Sequence, residues 1–344
     1  MLSAFLSFLS LITGIVATLL LSPYARSYLG KSGIYGVDQQ KEDRPKVVTS
    51  GGLAVLGGFL FSVTLMLGLT GLLNFYVVKP RLMLAGLCST LIISLIGFID
   101  DIHIGQGEKI EVAPAPGDDM IHREGLGKIV KMSMVLPAAL PLIAVGAGSR
   151  TMALPLIGTV KWGLLYPLLL LPIGLLFVSN VVNMLEGMNG LGASLSMITA
   201  FSLGVLSLIN GQIGASILAF ALGGSLLGFL RYNFYPASIL PGDSLTYLCG
   251  AVMFSVIVIG NIEKFAIPLF TLYFIEFFLK AKSGFEAHSW GHLNENGTLM
   301  PQHEKTYSLT HPLMRRGFTE PGISVILSVV QLVICLVALA FFTF

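Results

Sequence analysis

The residues of this chain that could do chemistry fall into a few short strings. Gly97-Phe98-Ile99-Asp100-Asp101 ends an apolar run with two adjacent carboxylates. Acids at the lip of a bilayer are costly to desolvate without a cation or metal beside them. Two can bind Mg2+ together, or one can act as a base while its neighbour binds metal. A solvated helix cap would explain the bare pair as well. Asn180 and Asn183 share a helix face, and Glu186-Gly187 and Asn189-Gly190 then break that helix. The break offers amide side chains, a carboxylate and free backbone N–H groups, which suit Mg2+ and phosphate. The rival reading is polar glue between helices. In the string from Asn233 to Ser244, Pro241-Gly242 makes a tight turn that sets Asp243 at the start of the next run. There it is either a helix cap or a further metal ligand.

Cationic groups lie close by in sequence. Lys128 and Lys131 precede another apolar run, where lysines often snorkel and where they can also hold phosphate. The segment 281–321 carries His288 and His292, then His311, Arg315 and Arg316. It has no cysteine, so a structural zinc site is disfavoured, and its donors better fit an anionic ligand such as a diphosphate. Asp38-Gln39-Gln40-Lys41, followed by Gly51-Gly52, reads on its own as a loop with a glycine-rich helix start.

These strings must be positioned by a membrane scaffold. The chain has 344 residues, 54% hydrophobic and 11% charged, too few charges to cover a soluble domain of that size. Its apolar runs are continuous, without period-2 alternation, so helices are favoured over a barrel. About ten spans are expected, near 2–22, 52–74, 82–99, 129–146, 163–179, 191–209, 213–230, 246–261, 265–280 and 322–343, with a turn or hairpin over 147–162. The fold class is therefore all-α, a polytopic integral membrane protein forming one domain over 1–344. The first run lacks a basic n-region and a cleavage site, and reads as a retained span. Cys88, Cys249 and Cys335 all lie inside apolar runs and form no disulfide or zinc pattern.

Connections after odd-numbered spans hold 15 of the 20 Lys and Arg residues, which places them in the cytoplasm and both termini on the other side. The same set holds 16 of the 18 acids and all six histidines. The orientation rule does not predict that bias, and loop length alone competes with a polar site on the cytoplasmic face as its cause. A net charge of +2 gives no reason to expect nucleic acid.

Taken in order, Asp100-Asp101, the string from Asn180 to Gly190, and Asn233-Phe-Tyr-Pro with Gly242-Asp243 resemble the polyprenyl-phosphate N-acetylhexosamine-1-phosphate transferases. That superfamily includes the bacterial phospho-MurNAc-pentapeptide translocase and the UDP-GlcNAc:dolichyl-phosphate GlcNAc-1-phosphate transferase. Glu186 and Asn189 stand where bacterial members usually carry Asp, so the likeness is greater to the dolichyl-phosphate enzyme. The resemblance implies transfer of HexNAc-1-phosphate, GlcNAc-1-phosphate first among them, from UDP-HexNAc to a polyprenyl or dolichyl phosphate, with UMP released. This would be the first membrane step of glycan assembly, N-glycosylation included. It implies Mg2+, with Mn2+ as the alternative ion, held by Asn183 and Asp243. Asp100 would be the base, with Asp101 near the metal and Lys131 holding a phosphate. Gln39, Gly187, Asn189 and Leu240 would frame the nucleotide, and Lys41, Lys128, His288, His311 and Arg315 would bind phosphate or sugar. Membrane lipids and a homodimer complete the expected partners. The rival class is an ion-coupled transporter or lipid scramblase. It would place charge at the bilayer midplane in paired repeats, and neither is visible in the sequence.

Overall fold

In lipid every backbone group must find its partner within the chain, so the apolar runs can only close on themselves as helices. The computed structural model describes residues 2–74, 78–102, 108–112, 119–123, 128–154 and 158–343. In chain order the elements are α1 (Leu2–Lys31), β1 (Tyr35–Val37), β2 (Lys46–Val48), α2 (Gly52–Leu72), α3 (Pro80–Ile102), β3 (Glu108–Val112), β4 (Asp119–Arg123), α4 (Lys128–Val135), α5 (Leu140–Ala144), β5 (Thr151–Leu154), β6 (Gly158–Lys161), α6 (Leu171–Met184), α7 (Leu191–Ile209), α8 (Ile213–Asn233), α9 (Gly242–Gly260), α10 (Glu263–Ala266), α11 (Thr271–Ala281), β7 (Gly291–Leu293), β8 (Leu299–Pro301), α12 (His311–Arg315) and α13 (Glu320–Thr343). The strands pair only as antiparallel two-stranded hairpins. The β5–β6 hairpin, with Thr151 opposite Lys161 and Leu154 opposite Gly158, occupies the segment expected to turn.

Among the described residues, eight helices are long and apolar enough to cross a membrane. The two other expected spans, 129–146 and 265–280, are chains of short helical pieces. Pro137 and Pro141 interrupt the first with a 3-10 turn at Leu136–Ala139, and Pro268 sits in the 3-10 turn Ile267–Phe270 of the second. Proline cannot donate to the helical ladder, so these runs break where the prolines fall. Helix α1 extends past the expected end at 22 to Lys31 with Pro23 inside it. The carbonyl that Pro23 leaves without a donor, that of Leu19, accepts from the Tyr232 hydroxyl at 3.3 Å.

Helix α9 is the axis of the molecule. Every residue from Ser244 to Gly260 is buried, and α2, α3, α6, α7 and α8 pack on it. Helices α1 and α13 lie outermost and expose Phe5, Phe8, Leu20, Val329, Val333 and Leu336, as lipid-facing helices should. Glycines set how closely the helices approach α9. A Cβ at Gly52 would fall 2.3 Å from Leu245 N, one at Gly97 2.5 Å from Asp243 O, and one at Gly250 2.4 Å from the Ser179 Cα. Small residues are what allow backbones to meet so closely in membrane helices. The Gly51-Gly52 pair therefore serves packing.

Candidate active site

The first orphan N–H groups of α9 find their acceptor on another helix. Asp101, at the end of α3, takes the Asp243 N–H at 2.7 Å on Oδ1. Its Oδ2 takes the Ser244 N–H at 3.1 Å and the Ser50 hydroxyl at 2.9 Å. A helix N-terminus needs such acceptors and favours negative charge. Gly242, at φ +69°, has no room for a Cβ, because Asp101 Oδ2 lies 2.4 Å from where it would sit. Asp101 is thus buried and engaged by two backbone N–H groups and one hydroxyl, directly against Asp243. Asp243 is not a cap for its own helix. Its carboxylate pairs with Lys131.

Lys131 sits between two acids. Its ammonium lies 2.6 Å from Asp100 Oδ2, contacts Asp243 Oδ2, and stands 5.0 Å from the centre of the Tyr247 ring. One helical turn of α9 then meets the asparagines of α6. The Tyr247 hydroxyl donates to Asn180 Oδ1 at 3.1 Å, and the Thr246 hydroxyl to Asn183 Oδ1 at 3.0 Å. These amides therefore join α6 to α9. They open on a cavity of about 680 Å3. Lys131, Asn180, Asn183, Glu186, Lys280 and His288 form its polar wall, and Ile173, Leu176, Phe177, Phe277 and Phe285 its apolar one.

A second pocket of about 210 Å3 adjoins it through Glu186 and Trp290. All four residues expected to frame a nucleotide, Gln39, Gly187, Asn189 and Leu240, line it. Its walls are tied together by a network that sequence reasoning missed. Asn189 Nδ2 donates to Asp38 at 2.9 Å, and Asn189 N to Glu320 Oε1 at 2.7 Å. Gln40 donates to Gly187 O at 2.7 Å and accepts from Gly291 N at 3.2 Å. Burial pushes Glu186 up to about 8. The Gly187 and Gly192 N–H groups pull the other way, while the Asp243 and Glu320 carboxylates add to the rise.

The remaining expected contacts divide. His288 lines the larger cavity and stacks on Trp290 at 4.8 Å. Lys41 is bound to Asp38 and Glu320, so its charge is already matched by carboxylates. His311 is fully buried, with Nε2 2.9 Å from His288 O and Nδ1 accepting from Tyr307 N at 3.3 Å. A carbonyl only accepts, so Nε2 carries the proton, and both nitrogens are committed to the loop. Burial, the largest cause, holds His311 below its ordinary range. Arg315 points away from the cavities and ties Thr306, His303 O and Glu304 O together. In both residues these hydrogen bonds run to the loop itself. The side chains of Lys128 and His122, and residue 103 altogether, lie outside the described residues. Glu276, unassigned from sequence, is fully buried and accepts from Leu309 N at 2.8 Å and from Ser289 Oγ at 3.2 Å, which fixes the loop that carries His288.

Among the described residues no three His, Cys, Asp or Glu side chains form a ready metal cluster. Mg2+ does not need one: it is commonly held by one or two carboxylates together with water and substrate phosphates. Asp100 and Asp243 converge on a single cationic group, and Asn183 adds a hard oxygen near Thr246. That donor set fits Mg2+.

The chain is similar to known proteins over most of its length. The pattern of glycosyl transferase family 4 matches residues 83–261, the stretch that contains most of α3 and all of α6 and α9. A Sulfolobus acidocaldarius protein assigned as a UDP-N-acetylglucosamine–dolichyl-phosphate N-acetylglucosaminephosphotransferase is 32% identical over 97% of this chain and 96% of its own length. One of the same assignment from Saccharolobus solfataricus is 30% identical over 90% and 88%. The phospho-N-acetylmuramoyl-pentapeptide-transferase of Moorella thermoacetica is 32% identical over 71% and 72%.

Proposed function

The chain belongs to glycosyl transferase family 4, and we propose that it transfers HexNAc-1-phosphate, with GlcNAc-1-phosphate the first candidate, from UDP-HexNAc to a polyprenyl or dolichyl phosphate. One observation carries this reading. A small pocket walled in part by Asp38, Gln39, Gln40 and Asn189 adjoins a larger, mainly apolar cavity, and Lys131 stands at the larger one between two carboxylates. An oxygen of the lipid phosphate attacks the β-phosphorus of the UDP-sugar. The bond between the two phosphates breaks, UMP leaves, and the lipid carries the new diphosphate and the sugar.

Each group has a part in that displacement. Asp100 takes the proton from the lipid phosphate, within reach of the Lys131 ammonium that holds a phosphate oxygen. Attack of one anion on another needs its charge screened, and Asp243 and Asn183 are the residues that would hold Mg2+, or Mn2+, which supplies that screening. Phe177, Phe277 and Phe285 give the first isoprene units an apolar wall at the edge of the bundle. Asp101 positions Asp243 through the start of α9. The excess of Lys and Arg at this end of the molecule supports a cytoplasmic site with both termini opposite. A transporter would need charge at the midplane, whereas Asp100, Asp243, Glu186 and Glu320 all stand at or beyond helix ends.

The test is release of UMP from radiolabelled UDP-GlcNAc with a short polyprenyl phosphate, in detergent and with Mg2+. Lipid-linked sugar should appear in step with UMP. Absence of turnover across a panel of UDP-sugars sinks the reading.

A further inference from the structure

We propose that Asp38 sets the base selectivity of the smaller pocket by locking the Asn189 amide with its carbonyl oxygen turned to the bound base. The proposal rests on the reading of that pocket as a uridine site.

Asn189 is held from three sides. Its N–H donates to Glu320 Oε1 at 2.7 Å, and its carbonyl accepts from the Ser324 hydroxyl at 3.2 Å, so the first turns of α13 fix its backbone. Its side-chain NH2 donates to Asp38 Oδ2 at 2.9 Å. The other oxygen of Asp38 accepts from the Lys41 ammonium at 3.2 Å. A carboxylate accepts and does not donate, so the nitrogen of the amide, and not its oxygen, must face Asp38. That removes the usual ambiguity between the two ends of an asparagine. Oδ1 takes no hydrogen bond from the described residues, and Asn189 lines the pocket. The pocket therefore presents a fixed acceptor.

Uracil carries an N–H donor at N3 between two carbonyls, and cytosine carries an acceptor there. A locked acceptor accepts from the first and opposes the second. Were Asp38 able to donate as well as accept, the amide could turn over and offer its NH2 instead.

The experiment is binding of UMP, CMP and 3-methyl-UMP to the purified full chain in detergent by calorimetry. The wild type should prefer UMP to CMP by about 10- to 100-fold, the value of one hydrogen bond made against one left unmade. It should lose a similar factor on 3-methyl-UMP. In Asp38→Asn and in Asp38→Ser, whose side chains both donate and accept, the ratio of UMP to CMP should fall toward one. An unchanged ratio in these variants overturns the role of Asp38 while leaving the transferase reading intact. Equal binding of UMP and 3-methyl-UMP by the wild type overturns the fixed acceptor without any variant. Failure of the wild type to bind UMP at all overturns both readings.

Discussion

Asp100 and Asp101 are chemically identical neighbours, and the structure gives them different work. Replacing Asp101 by Asn separates the two roles. The carboxylate accepts three hydrogen bonds, two from backbone N–H groups and one from Ser50. An amide keeps one acceptor. Its best placement leaves the oxygen on Ser244 N–H and Ser50 and turns the NH2 against the Asp243 N–H. One buried N–H then loses a charged acceptor, at about 1.5–3 kcal/mol. Losing the negative charge at the start of α9 adds about 0.3–1 kcal/mol. The expected destabilisation is therefore about 2–4 kcal/mol, localised on the residue that pairs with Lys131. Asp100→Asn keeps an oxygen for Lys131, which retains Asp243, and should cost about 1 kcal/mol or less. Its loss should be in rate, about 100- to 10,000-fold for a missing base. Apparent unfolding midpoints in detergent, read beside UMP release, distinguish the two. Asp101→Asn should lower the midpoint markedly and keep part of its activity, and Asp100→Asn the reverse. If Asp101→Asn unfolds at the wild-type midpoint and is as inactive as Asp100→Asn, the positioning role is refuted.

Other consequences follow from the same geometry. Gly97→Ala puts a methyl 2.5 Å from Asp243 O, against backbone that cannot yield cheaply. It should cost about 1–3 kcal/mol and depress activity, measured by midpoint and turnover together. Glu186 is raised to about 8, so it is neutral at pH 7 where it lines both cavities. Ionisation above about 8 should raise the KM for UDP-sugar, and Glu186→Gln should flatten that part of the profile. The stability sign is the reverse of the usual carboxylate case: the unfolded chain ionises first, so this group makes the fold less stable as pH climbs from its ordinary range to about 8, with no further loss above. Chelation of divalent ions should abolish UMP release while leaving the midpoint nearly unchanged, and added Mg2+ should restore turnover. A chelated protein at full activity would remove the metal from the reaction.

What could be read from the sequence was what local chemistry decides. The spans were legible because lipid admits only continuous apolar helices, and they failed as single helices where proline removes a donor, at Pro137, Pro141 and Pro268. Gln39, Gly187, Asn189 and Leu240 were found through resemblance and do meet in one pocket. The network that shapes the pocket was not found, since nothing near Glu320 in sequence announces Lys41, 279 residues away. The loop contacts of His311 and Arg315 were not legible for a related reason: a donor's direction is a tertiary fact. The split between Asp100 and Asp101 was different, because it left a trace. Gly97 and Asp101 stand at i and i+4, on one face of α3. A glycine on that face signals a backbone pressed against it, and the structure places that backbone at Asp243, 2.5 Å from where a Gly97 Cβ would be. A carboxylate one turn on, facing the same backbone, must meet N–H groups at the start of the neighbouring helix. Asp100, turned about 100° away, cannot reach them and is left for Lys131.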